Sequence, residues 1–231
     1  MHRAPILHQP ANSAIERRNR ALVALTLLTG ARDSALASLK LKHIDLEADS
    51  VYQDARDVKT KFSKSFTTFF FPVGEEVRQI VVDWVSYLRE ELKWEGGDPL
   101  FPATRTALAA THQFHAAGLK REHWRSAAPI RAIFREAFAN AGLPYFNPHS
   151  LRRTLVRLGE VLCQAPEEFK AWSQNLGHEG VLTSFYSYGA VAQRRQGEIV
   201  RELSQPRTAA ILDAEEVAKA VVRRLQPASS G

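Results

Sequence analysis

The stretch from Asn147 to Gly189, NPHSLRRTLVRLGEVLCQAPEEFKAWSQNLGHEGVLTSFYSYG, gathers imidazoles, guanidiniums and phenols at short range. His149 and Arg152 are spaced i and i+3, which on a helix puts both side chains on one face. His178 follows directly after Gly177, and Tyr186 and Tyr188 come soon after. This inventory suits a phosphodiester: cationic and neutral donors hold non-bridging oxygens, and a hydroxyl can attack phosphorus. Singly, each feature has a bland explanation. A His-x-x-Arg is usually a solvated helix face, and a His after a Gly is often part of a helix C-terminal cap. The functional reading comes from their clustering.

The rest of the chain supplies elements that could position these groups. Residues 1–12 read as an arm or linker, with Pro5 and Pro10 blocking regular structure. Ser13 is placed to cap a helix carrying Ile15, Ala21, Leu22, Leu25 and Leu28 and ending at Gly30. Arg32 comes just after that glycine turn and before a short helix with Leu36 and Leu39, so it projects from a rigid junction. Val51-Tyr52 and the run Phe66–Phe71 have strand composition, and the lysine-rich connection between them holds Lys59, Lys61 and Lys64. The four Phe of that run are expected in core and sheet packing.

Glu75 and Glu76 open a helix with Val77, Ile80, Val81, Trp84, Val85 and Leu88 at helical spacing. Residues 102–126 read as irregular, and His112, His115 and His123 within them lack the carboxylate-plus-His spacing of a metal site. Pro129 starts a helix that ends at Gly142. The helix bearing His149 and Arg152 turns Leu151, Leu155, Leu158 and Val161 inward, and Pro166 starts another, anchored by Phe169 and Trp172 and capped at Gly177. Residues 190–203 read as a further helix. Pro206 breaks it, and residues 213–225 form a final helix with an apolar stripe that docks on its own domain or on a neighbour. The fold class expected is mainly α with a small antiparallel β-sheet (α+β) around residues 49–72. The domain reading is an arm over 1–12, a catalytic domain over 13–203, and a linker and helix over 204–231.

Composition narrows the function classes. The 231 residues are 45% hydrophobic and 24% charged, which excludes a disordered chain, and the net charge of +6 favours a polyanionic partner. Cys163 is the only cysteine, so one chain can build neither a disulfide framework nor a cysteine-based zinc site. Its apolar neighbours make it a buried small residue. No apolar run is long enough to span a bilayer and the N-terminus does not read as a signal peptide, so the expected compartment is the cytoplasm, at the bacterial nucleoid when DNA is bound.

Arg32 in TGAR, a lysine on a β-hairpin, His149-x-x-Arg152, Leu176-Gly177-His178 and a following tyrosine recur in the order found in tyrosine recombinases, the integrase family of DNA strand-exchange enzymes. The chain resembles their catalytic domain over roughly residues 13–203. The resemblance implies a site-specific recombinase or integrase, of the kind found on phages and mobile elements. It acts on double-stranded DNA through a 3′-phosphotyrosyl intermediate, as a homo-oligomer with a tetrameric synapse and without cofactor, metal or ATP. It makes Arg32 and Arg152 the clamp on the scissile phosphate, Lys59 the proton donor to the leaving 5′ oxygen, His149 an aid to proton transfer and His178 a phosphate ligand. The nucleophile is Tyr188, which a TSYG-like segment favours, or alternatively Tyr186. Counting residues from His178 does not choose between the two.

Two departures from the family pattern stand out. Many relatives have a carboxylate three residues after the first arginine; here that position is Ala35, and Asp33 is the nearest acidic residue to take over its part. The family's separate N-terminal DNA-clamping domain has no counterpart in this sequence, so the chain reads as a catalytic-domain fragment or a truncated recombinase. Three rivals remain at the sequence level: a type IB topoisomerase-like relaxing enzyme, a non-catalytic DNA-binding module of the same fold, and a metal-dependent phosphodiesterase. The last would need ligands that the central stretch lacks.

Overall fold

The computed structural model describes residues 11–59, 64–108 and 113–178. Its central element is helix α1 (Ala14–Thr29). The Ser13 hydroxyl accepts the Glu16 N–H, and the Glu16 carboxylate accepts the Ser13 N–H, so two amides without intrahelical partners are satisfied reciprocally. Gly30 ends the helix at φ 59°, a left-handed conformation that costs glycine little. From Ala21 to Thr26, and again at Leu28 and Thr29, α1 is buried, with both threonine hydroxyls donating back to carbonyls one turn earlier. Helix α3 (Glu75–Ser86) packs along it with Val77, Val81, Trp84 and Val85, and the Trp84 indole N–H donates to the Leu100 carbonyl.

Between α1 and α3 lie the short helix α2 (Asp33–Leu36), a 3-10 turn (Leu41–His43) and an antiparallel sheet of β1 (Ile44–Asp45), β2 (Ser50–Gln53) and β3 (Phe66–Phe69). The β2–β3 register pairs Val51 with Thr68 and Gln53 with Phe66, so the expected hairpin forms. Its phenylalanines do not all face inward: Phe71 is buried but Phe69 is 56% exposed. Side chains alternate across a strand, so with Thr68 turned in, Phe69 must turn out.

Residues 102–126 are not irregular. They form a second hairpin, β4 (Ala103–Leu108) with β5 (Phe114–Lys120), whose register shifts between Arg105 and Thr106. Neither strand is deeply buried and both are rich in alanine, so they lack the apolar alternation that marks a half-buried strand. The hairpin is fastened at its base. Arg18 of α1, buried beneath the Trp124 ring, donates to the Pro102 carbonyl and the Thr104 hydroxyl, both at 2.9 Å.

Three helices complete the described chain: α4 (Ala128–Asn140), α5 (Pro148–Leu162) and α6 (Pro166–Asn175). Leu151, Leu155 and Leu158 of α5 are buried, but Val161, read as inward-facing, is 64% exposed. The apolar packing continues from Leu158 to Leu162, which joins the cluster with Leu155 and Trp172, and Val161 lies off that stripe. Cys163 is only half-buried, and burial pushes its thiol pKa up. The fold is mainly helical with small antiparallel sheets, and no described helix is long and apolar enough to cross a membrane. Tyr186 and Tyr188, Lys61, and the helices read over 190–203 and 213–225 lie outside the described residues.

The α5–α6 junction yields a test. Trp172 donates to the Leu155 carbonyl at 2.9 Å and its ring lies 4.6 Å from that of Phe71, so it has little room to move. A Cβ on Gly159 would come within 2.6 Å of the indole nitrogen. Gly159→Ala should therefore destabilise the chain by about 1–3 kcal/mol in urea unfolding, despite alanine's better helix propensity. Gly97→Ala, which meets nothing within 4 Å, is the control and should change stability by less than about 0.5 kcal/mol.

Candidate active site

Helix α5 brings the central pair to one place. The Asn147 side chain accepts the Ser150 N–H at 3.1 Å and caps the helix, and Pro148 occupies its first turn without needing a donor. His149 thus sits at the helix start and Arg152 one turn further on, facing the end of α1.

Arg152 is 5% exposed. Its Nη1 donates to the Gly30 carbonyl at 3.0 Å and its Nη2 to the Leu176 carbonyl. One side chain therefore bridges the turn after α1 and the turn after α6. Both turns are tight. A Cβ on Gly30 would lie 3.0 Å from Leu155 and 3.1 Å from Leu176, and one on Gly177, at φ 67°, would lie 2.9 Å from the Phe66 ring. Asn175 fixes the second turn further by exchanging two hydrogen bonds with the Phe69 backbone, its Oδ1 accepting at 2.7 Å and its Nδ2 donating at 2.9 Å.

The result is a pocket of about 360 Å³ lined by Gly30, Ala31, Arg32, Asp33, Arg131, Asn147, Pro148, His149 and Arg152. Arg32, more than a hundred residues of chain away from His149 and Arg152, borders the same space as they do. The start of α5 also borders it, and helix N-termini attract anions through their unpaired N–H groups. Burial lowers the pKa of Arg32, and burial together with Arg32 lowers that of Arg152 to about 10, so both stay cationic at neutral pH. His149 is pushed below its ordinary value, first by burial and then by Arg152, Arg153 and Arg32, with Asp33 opposing. These surroundings favour its neutral form.

Two other candidates lie outside that lining. His178 follows the Leu176–Gly177 turn held by Arg152, and its N–H donates to the Ser173 carbonyl at 3.1 Å. Lys59 is tied through its backbone to the segment just after Arg32: its N–H donates to the Ser38 hydroxyl at 2.9 Å and its carbonyl accepts from Ser34 at 3.3 Å. The preceding Asp57 is gripped by Lys40 at 2.6 Å and Lys42 at 2.5 Å, which hold its carboxyl far below the usual range. These contacts pin the hairpin backbone at Lys59 beside α2.

Sequence reasoning missed Arg131 and Asn175. An arginine on the exposed face of α4 carries no local signal, and Asn175 acts only through a strand more than a hundred residues away. Because Arg152 is structural as well as cationic, Arg152→Ala should destabilise the fold by about 2–4 kcal/mol, leaving two buried carbonyls without donors. Arg32→Ala should cost less than about 1 kcal/mol. Urea unfolding of the two variants checks the contrast.

The fold resembles that of a XerA recombinase, with 21% identity, 87% of this chain and 65% of that chain covered, and a TM-score of 0.53. It also resembles the XerH site-specific recombinase bound to difH substrate in a pre-cleavage complex, at 18% identity, 87% and 51% coverage and a TM-score of 0.58. The Tn1549 transposon integrase in complex with transposon right end DNA matches at 15% identity, 84% and 61% coverage and a TM-score of 0.54. The chain thus spans between 51% and 65% of the length of these three. No curated protein matches it in sequence. The sequence pattern of the phage integrase family matches residues 4–192, most of the chain, and the chain belongs to that family.

Proposed function

We propose that the chain is the catalytic part, over residues 13–203, of a site-specific DNA recombinase that breaks and rejoins strands through a 3′-phosphotyrosyl link. The observation that carries the reading is that Arg32, His149 and Arg152 line one pocket at the start of α5. In this reading the guanidiniums hold the non-bridging oxygens of the scissile phosphate, their planar forks matching those oxygens as a lysine would not.

The Tyr188 oxygen attacks phosphorus and passes its proton to neutral His149. The bond from phosphorus to the 5′ oxygen breaks, and Lys59 protonates the departing oxygen to a free 5′-hydroxyl. His178 completes the grip on the phosphate. Attack by a 5′-hydroxyl of the partner strand on the phosphotyrosine reverses the steps, so no bond energy is lost and no external energy source enters. A phenol has a pKa near 10 in water, and stabilisation of developing negative charge by the clustered cations is what makes attack feasible at neutral pH. By family resemblance, exchange between two duplexes takes place in a tetramer of the chain on DNA.

The test uses a pool of nicked suicide duplexes of randomised sequence and a denaturing gel. A covalent protein–DNA band is expected, and sequencing the recovered DNA gives the preferred site. Absence of any band, or loss of the band on adding chelator, overturns the reading. Tyr188→Phe should abolish the band while Tyr186→Phe retains it, because only the attacking hydroxyl is removed. Relaxation of plasmid without any preferred sequence would instead support the topoisomerase-like activity.

The pH dependence follows from His149. Burial and the neighbouring arginines push its pKa below that of an ordinary imidazole, which favours the neutral, proton-accepting form. The acid limb of band formation should therefore have its midpoint below that of an ordinary histidine, and a midpoint above it would contradict the assignment.

A further inference from the structure

Among the residues bordering the pocket, Arg131 belongs to none of the sequence motifs. It reaches the pocket from α4, and its Nε donates to Asp33 Oδ2 at 2.9 Å across 98 residues of chain. Asp33 is itself fixed: its other oxygen accepts the Ser34 N–H at 2.9 Å at the start of α2. Asp33 follows Arg32 directly, so the carboxylate that orients Arg131 sits on the same turn as a guanidinium already facing the pocket.

Three facts set Arg131 apart from an ordinary surface ion pair. The bond to Asp33 uses Nε alone, so among the described residues both Nη groups keep their N–H donors. Arg152, by contrast, commits one donor of each Nη to a backbone carbonyl. The Arg131 side chain is 56% exposed, and an ion pair at that exposure contributes little to stability, so packing does not account for the arrangement. An anion entering the pocket would meet a guanidinium that is held in place but still has donors to give.

We propose that Arg131, oriented by Asp33, is the third guanidinium of this pocket and donates to the non-bridging oxygens of the DNA phosphate that Arg32 and Arg152 border. Asp33 is its positioning residue, on the turn where Ala35 leaves the more usual carboxylate position apolar. The strand-cleavage part of this inference rests on the recombinase reading; the anion-binding part does not.

Two experiments keep the readings separable. In the first, inorganic phosphate is titrated into the chain while the arginine Nε–H signals are followed by NMR, with assignments from Arg131→Lys and Arg32→Lys. The Arg131 and Arg32 signals should shift along one binding curve, and Asp33→Asn should weaken that curve. An Arg131 signal that stays still while that of Arg32 moves overturns the proposal, whether or not the chain cleaves DNA. In the second, adduct formation is timed on the duplex recovered from the randomised pool, carrying either the natural phosphate or a neutral methylphosphonate at the cleaved position. Arg131→Ala should slow the natural reaction roughly 10- to 100-fold, the range for one charged hydrogen bond, with a much smaller deficit on the methylphosphonate. Arg135→Ala, one turn along α4 and outside the pocket lining, should show no such difference between the two substrates. An equal Arg131→Ala deficit on both substrates would mean that the arginine acts elsewhere and would also overturn the proposal. If the wild-type chain forms no adduct at all, the recombinase reading fails and the phosphate titration alone decides the role of Arg131.

Discussion

The arrangement of the site depends on the buried guanidinium of Arg152. It rises from α5 and is held by the carbonyl of Gly30 at the end of α1 and that of Leu176 at the end of α6. Burying a charge is costly unless hydrogen bonds compensate, and here the compensation comes from two helix-terminal carbonyls that would otherwise lack intrahelical partners. One side chain thereby meets the needs of two helix ends and sets their separation. The close fit of Gly30 against Leu155 and Leu176, and of Gly177 against Phe66, leaves those turns little freedom to drift. Arg32 and His178, one on each turn, are placed as a consequence.

What the sequence disclosed follows from what local pattern can encode. Ser13, Gly30 and Gly177 mark helix ends through their own capping chemistry, and the 3.6-residue spacing of the leucines in α5 marked its apolar face, whereas the Asn147 cap and the burial of Arg152 appear only in the structure. The β2–β3 hairpin was legible because β-branched and aromatic residues flank a polar connection. The β4–β5 hairpin was not, since its alanine-rich strands are barely buried and what fastens them is Arg18, reaching from α1. Val161 fits the stripe of α5 by i+3 spacing from Leu158 yet lies in solvent, because the packed stripe runs on through Leu162 at i+4 instead. The pairing of Asp33 with Arg131 joins residues 98 apart, and neither shows a local mark of it.

Lys59 illustrates the same division. Its presence on a hairpin could be read from composition, but its backbone is positioned by Ser34 and Ser38 and by the grip of Lys40 and Lys42 on Asp57. These are polar contacts between segments that share no periodicity. The sheet brings Lys59, at the end of the described part of that connection, to the side of α2.

The charge balance of the pocket explains why its cations are arginines. Burial and the neighbouring Arg32 bring Arg152 down to about 10, which still leaves it charged at neutral pH. A lysine starts near 10.4 in water, and the same burial would bring it close to the physiological range, where it would begin to lose its proton. The same surroundings favour the neutral form of His149, so the pocket sets fixed positive charge beside an imidazole. Among the described residues Asp33 is the only carboxylate in the lining, set against Arg32, Arg131 and Arg152. The described lining therefore carries a surplus of positive charge. In the proposed reaction a phosphate would relieve that repulsion on entry, and the trigonal-bipyramidal phosphorane-like state, with more negative charge on its oxygens, would relieve it further, so such a pocket would favour the reacting state over the bound one.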